Sequence, residues 1–110
     1  MRVCFLLGGF FSNGGIGRVT SILCNNLAKD GDIELYTLSY ANMHMPSLYK
    51  LDERIQSDFL FDQRFSMKQA FIKGAIGKVR RYLTDNKIDI LIACGSLYFP
   101  LAIHMRNYLL

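Results

Sequence analysis

The chain has little of several things, and each shortage narrows its class. Tryptophan is absent, and proline, histidine and glutamate occur twice each in 110 residues. The two histidines, His44 and His104, have no cysteine or second histidine at ligand spacing. No C-x-x-C pair joins Cys4, Cys24 or Cys94. A structural zinc site needs clustered ligands of that kind, so none is expected. Three widely spaced cysteines read instead as buried, reduced thiols of a cytoplasmic protein. No apolar run reaches the roughly 18 residues of a membrane span. The start, MRVCFLLGG, imitates a signal peptide only loosely. Gly8-Gly9 interrupts its apolar part, and no small-x-small cleavage site follows. Low-complexity segments and internal repeats are missing too. Charge of one sign is only mildly in excess, thirteen Lys and Arg against nine acids, net +4. That balance suits an anionic ligand or an anionic membrane surface. No nucleic-acid motif accompanies it, so nucleic acid is not an expected partner.

What is present fits one domain with a real core: 51% of residues are hydrophobic. Between Gly8 and Gly17 stand five glycines in ten residues. Glycine inside a helix or strand costs roughly 0.5–1 kcal/mol against alanine. A cluster at a junction therefore implies that backbone must come close to something. Val3 to Leu7 reads as a buried strand before that junction. After it, Ile16, Val19, Ile22, Leu23 and Leu27 share one helical face, which predicts a helix docked by that stripe and stopped at Gly31. Ile33 to Leu38 reads as a second strand, residues 39–53 as loop, and Arg54 to Leu60 as a third strand. Ser66 and Gln69 match a capping box, opening a helix whose stripe is Ile72, Ile76, Val79 and Leu83 and which Asn86 ends. Ile88 to Ala93 is the best strand of the chain, and a turn and helix follow.

Alternation of strand and helix predicts an α/β fold, a Rossmann-like three-layer sandwich with a mostly parallel sheet. Crossovers should be right-handed. In the usual doubly wound order the first and last strands are neighbours, and ligands bind where the order reverses. The glycine loop and the CGSLYF loop would both border that crevice. Helix N-termini attract anions, so a phosphate or carboxylate is expected near Asn13, Gly14, Gly15 and Gly17. Arg18 could reach it from the first turn, and Ser96 and Tyr98 border it from the other loop. Lys73, Lys78, Arg80 and Arg81 form a basic helix face that could rest on anionic lipid. A strand at Ile88 to Ala93 with no neighbour beyond it would leave an apolar edge, an association hazard.

Gly14-Gly15-Ile16-Gly17-Arg18-Val19, Leu27-Ala28-Lys29-Asp30-Gly31 and Ile88-Asp89-Ile90-Leu91-Ile92 resemble, in that order, the N-terminal domain of family-4 glycosyltransferases. The resemblance covers essentially the whole chain. Where an acidic residue often precedes the arginine of that family, this chain has Gly17, so any contact there is through backbone. A rival resemblance is to short-chain dehydrogenases, through GGIGR and IDILIACGS. Its glycine spacing fails: five residues separate Gly9 from Gly15 where that fingerprint has three. Its Tyr-x-x-x-Lys pair is missing, and Ala93 and Cys94 replace its two asparagines.

The first resemblance implies a GT-B enzyme that moves sugar from a nucleotide-sugar donor to a glycan or lipid-linked acceptor with retention, in a setting such as polysaccharide biosynthesis. Residues 1–110 would be its acceptor-side domain, truncated. The donor-binding domain, with its E-x7-E motif, would be absent. It implies no cofactor and no metal, and no residue in the chain stands out as a catalytic acid, base or nucleophile. The fragment alone would be inactive, and a separate C-terminal domain chain or a homodimer could complete it. The alternatives are a nicotinamide-dependent dehydrogenase-like fragment and a non-catalytic interaction domain. Its place would be the cytoplasm, with peripheral contact at the inner face of the membrane.

Overall fold

A computed structural model describes residues 1–11, 15–95, 98–105 and 107. The fold is α/β: a four-stranded, all-parallel sheet with helices on both faces, a Rossmann-like sandwich. Strand β1 (Arg2–Leu7) lies at its centre, between β2 (Glu34–Ala41) and β4 (Ile90–Ala93), and β3 (Gln56–Phe61) lies beyond β2. The order β3-β2-β1-β4 reverses direction between β1 and β4, as the alternation of elements predicts. Helix α1 (Gly15–Leu27) covers one face. Helices α2 (Met67–Ile72), α3 (Ala75–Asp85) and the short α4 (Phe99–Ala102) follow in the order expected for the other.

The period of two along β1 divides the core. Val3, Phe5 and Leu7 meet Cys24 and Ala28 on the α1 side, while Cys4 and Leu6 meet Val79, Leu83 and Leu91 on the α3 side. With both faces covered, β1 is apolar throughout, as buried parallel strands are. Arg2 secures the end of the sheet remote from the crevice described below. Its guanidinium donates to the Asn86 carbonyl at 2.7 Å and pairs with Glu34 at 3.0 Å, and its backbone N–H donates to Asp89 at 2.8 Å.

Three sequence expectations need correction. Strand β2 runs on to Ala41, because Ser39 pairs with Phe59 and Ala41 with Phe61. Ser39 and Thr37 carry no apolar signal but are buried, and the Thr37 hydroxyl donates to that of Ser57 at 2.9 Å. The helix expected over 66–86 is two helices. The capping box at Ser66 and Gln69 forms, but the chain turns at Gly74, with φ +81°. That turn swings Ile72 off the stripe and leaves it 77% exposed, while Val79 and Leu83 remain fully buried. It also divides the basic face. Lys73 lies over the Phe65 ring and Lys78 over the Phe61 ring, at 4.7 and 5.5 Å.

The third correction concerns α1. Its apolar stripe faces outward: Ile16, Val19, Ile22 and Leu23 are exposed. The helix buries Gly17, Thr20, Ser21 and Cys24 instead, small residues at the same helical period. The reason is the narrow gap between α1 and the backbone after β1. A Cβ added at Gly17 would stand 3.2 Å from the Gly9 carbonyl oxygen. Ser21 satisfies its hydroxyl inside the helix by donating to the Arg18 carbonyl at 2.7 Å. An outward stripe has a measurable consequence. Val19→Lys and Ile22→Lys should each change the unfolding free energy by no more than about 0.5 kcal/mol in urea titrations. A loss of about 2 kcal/mol or more would place the stripe in the core after all.

Candidate functional site

The C-terminal ends of parallel strands in a doubly wound sheet converge on one edge, and the loops leaving them build the ligand crevice. Here that edge holds a crevice of about 460 Å³, within the usual range for small-molecule sites. Gly8, Gly9 and Phe11 enter it from the end of β1, and Gly15 to Gly17 from the start of α1. Tyr40, Ala41 and Met43 come from the end of β2, Arg64 from the segment after β3, and Cys94, Gly95 and Tyr98 from the end of β4. It lies at the reversal between β1 and β4 and also takes in β2 and the segment after β3.

The expected site residues fare differently. Gly15 lies at the mouth with open space where a Cβ would stand. Gly17 lines the crevice but is buried by packing against the β1 loop. Tyr98 lines it and is half-buried. Its ring packs on Tyr40 at 5.4 Å between centroids, and its hydroxyl lies over Gly8, where an added Cβ would come within 2.7 Å of it. Arg18 is exposed and not among the crevice-lining residues. Asn13, Gly14 and Ser96 fall outside the described residues.

Sequence reasoning missed Tyr40, Met43 and Arg64. The signal for Arg64 was available: it stands three residues past Phe61, the last residue of β3, and every strand of a parallel sheet ends at the same edge. Tyr40 was hidden by ending the second strand at Leu38. An adjoining cleft of about 550 Å³ shares Phe11 and Met43 and continues over Leu48, Tyr49 and Phe59, with Asn42, Lys50 and Asp58 also in its wall.

Electrostatically the crevice is one-signed. Among its described lining residues Arg64 is charged and no carboxylate appears. The first turn of α1 adds N–H groups that have no acceptor inside the helix. Cys94 is the one thiol at the wall; burial pushes its acidity down, against a hydrogen bond from Thr20 that acts the other way. A neutral thiol is a poor nucleophile. No group of three or more His, Cys, Asp or Glu that could hold a metal ion occurs among the described residues, and the His44 ring lies 3.0 Å from the Asp62 carbonyl. No helix among them is long and apolar enough to cross a membrane.

No protein-family model matches the chain, and no curated protein matches it significantly. Among the described residues the crevice offers backbone, aromatic rings, the Cys94 thiol and the Arg64 cation.

The other thiols are structural. Burial drives Cys4 and Cys24 from an ordinary value near 9 up to about 12. For a group whose folded pKa is raised, the stabilising contribution is complete below the unfolded value. It is lost as pH climbs through the folded value. Stability should therefore hold up to about pH 9 and fall between pH 9 and 12 in titrations of the folded chain. A thiol reagent at pH 8 should label Cys4 and Cys24 only after urea is added. Rapid labelling of both in the native chain would contradict their burial.

Proposed function

We propose that the chain is the acceptor-side Rossmann-like domain of a retaining, GT-B-type glycosyltransferase of the family-4 kind. In that role it binds the glycan or lipid-linked acceptor, and a second domain supplies most of the site for the nucleotide-sugar donor. The observation that carries the reading is the crevice at the β1/β4 reversal, bounded by the Gly15-Ile16-Gly17 helix start and the loop after β4. Of the sequence elements resembling that family, Gly15-Ile16-Gly17 lines it directly, and the IDILI strand leads into Cys94 and Gly95, which line it too. A wall of tyrosines and backbone suits a polyhydroxylated ring, which packs its C–H face on aromatics and its hydroxyls on main-chain groups.

In glycosyl transfer the hard step is departure of the diphosphate, and fixed dipoles aimed at the developing charge lower that barrier. The start of α1 supplies dipoles of this kind, and this half of the site positions rather than reacts.

The test is an NMR titration of the 15N-labelled chain, read on both ligand and protein signals, with simple glycosides and, separately, with NADH. Saturation should transfer to the sugar protons, and the Gly15 and Gly95 amide signals should shift. Micromolar binding of NADH with no response to any glycoside would overturn the reading in favour of a dinucleotide-binding domain.

A further inference from the structure

Arg64 stands on a short segment whose ends are both tied down. Behind it the chain leaves the sheet at Phe61. Ahead of it the Tyr40 hydroxyl donates to the Phe65 carbonyl at 2.8 Å, and Ser66 caps α2. The backbone of Arg64 is thus fixed to β2 and α2, while its side chain is exposed and makes no ion pair among the described residues. It lines the 460 Å³ crevice on one side and a 230 Å³ cleft on the other, sharing both with Tyr40 and Tyr98. Among the described residues no carboxylate lines either one. The two phenols are close enough to respond to it. Burial raises the pKa of both, and the Arg64 charge pulls both back.

A guanidinium is a rigid fork of donors that matches a phosphate or carboxylate with two parallel hydrogen bonds. Lining the crevice together with Tyr40 and Tyr98, it suits an oxyanion attached to a ring-bearing molecule. We propose that Arg64 anchors an oxyanion, phosphate or carboxylate, on the ligand of the crevice, so that the preferred acceptor is an acidic or phosphorylated sugar rather than a neutral one. The sugar part of this inference rests on the glycosyltransferase reading; the anion part does not.

The experiment compares wild type, Arg64→Gln and Arg64→Lys by calorimetry or NMR titration. The probes are inorganic phosphate, glucose, glucose 1-phosphate and glucuronate. Arg64 is exposed, so all three proteins should show the same melting curve, which checks the fold. Wild type should bind at least one anionic sugar about tenfold or more tighter than glucose, and Arg64→Gln should abolish that difference. Arg64→Lys keeps the charge and loses the fork, so it should fall between. Whether glucose 1-phosphate or glucuronate gains more identifies the oxyanion. If wild type binds anionic probes no tighter than glucose, or Arg64→Gln binds them as wild type does, the proposal is overturned. If phosphate binds through Arg64 and no sugar adds to it, the anion anchor stands and the glycosyltransferase reading falls.

Discussion

Phe5→Ala is expected to lower the unfolding free energy by about 3–5 kcal/mol, the usual cost of emptying a buried aromatic site. Phe5 is 1% exposed on the central strand, in the cluster with Val3, Leu7, Cys24, Leu35 and Ile55. Little can collapse into the space it leaves. Beneath it β1 is paired on both sides, with Thr37 and with Ile92. Above it α1 is already seated on small side chains at close range. A domain of this size has about 5–15 kcal/mol in hand, so the variant should be unfolded or nearly so at 37 °C. Its melting temperature should drop by about 15 °C or more. Circular dichroism against temperature reads this directly. A drop of only a few degrees would mean that the α1 layer is not packed on β1 as described.

The same layer shows what the sequence discloses of the fold and what it conceals. Strand order was legible because it follows from chain direction. A short apolar strand, a helix, a second strand and a later return to the best strand leave few parallel arrangements with right-handed crossovers. The site edge followed, since parallel strands end together. The facing of α1 was not legible. Its thirteen residues carry two stripes of equal period, one apolar and one small, and periodicity alone cannot rank them. Only the distance to the β1 loop decides, and that distance is a tertiary quantity. The break at Gly74 was hidden for a related reason. A glycine is tolerated inside a helical pattern, so the stripe read straight through it.

Arg64 and Tyr40 were missed because sequence reading looked for motifs, and neither belongs to one. They meet because β2 and β3 are neighbours in register, Ala41 beside Phe61, so the chain just past each strand emerges at the same corner. Ser57 and Asp58 illustrate the opposite case. Both are polar residues of β3, and their side chains hold the sheet together and to α3. Asp58 accepts from the Tyr82 hydroxyl at 2.7 Å, which fastens α3 to β3; burial, and after it this bond, raises the Tyr82 pKa.

The glycines of the first loop can be sorted by experiment into those that hold the fold and those that face the ligand. Gly17→Val should cost about 2–3 kcal/mol. Its Cβ would meet the Gly9 carbonyl oxygen at 3.2 Å and the Phe10 Cα at 3.8 Å. Both are backbone atoms that cannot step aside, and two further methyls must then be placed. Overpacking of this kind costs about 1–3 kcal/mol, and valine recovers only part of the helix propensity that glycine forgoes. Gly17→Ala separates the two effects. It gains up to about 1 kcal/mol of helix propensity against the same single contact, so its net change should be small. Gly15→Ala is the counterpart, since nothing lies within 4 Å of its Cβ and its stability should not fall. A methyl there does, however, enter the mouth of the crevice. Weaker glycoside binding by Gly15→Ala at unchanged stability, beside a destabilised Gly17→Val, would assign the first glycine to the ligand and the second to the helix. Unchanged binding by Gly15→Ala would mean that the ligand does not approach the start of α1. The dipole of that helix would then have no part in the site.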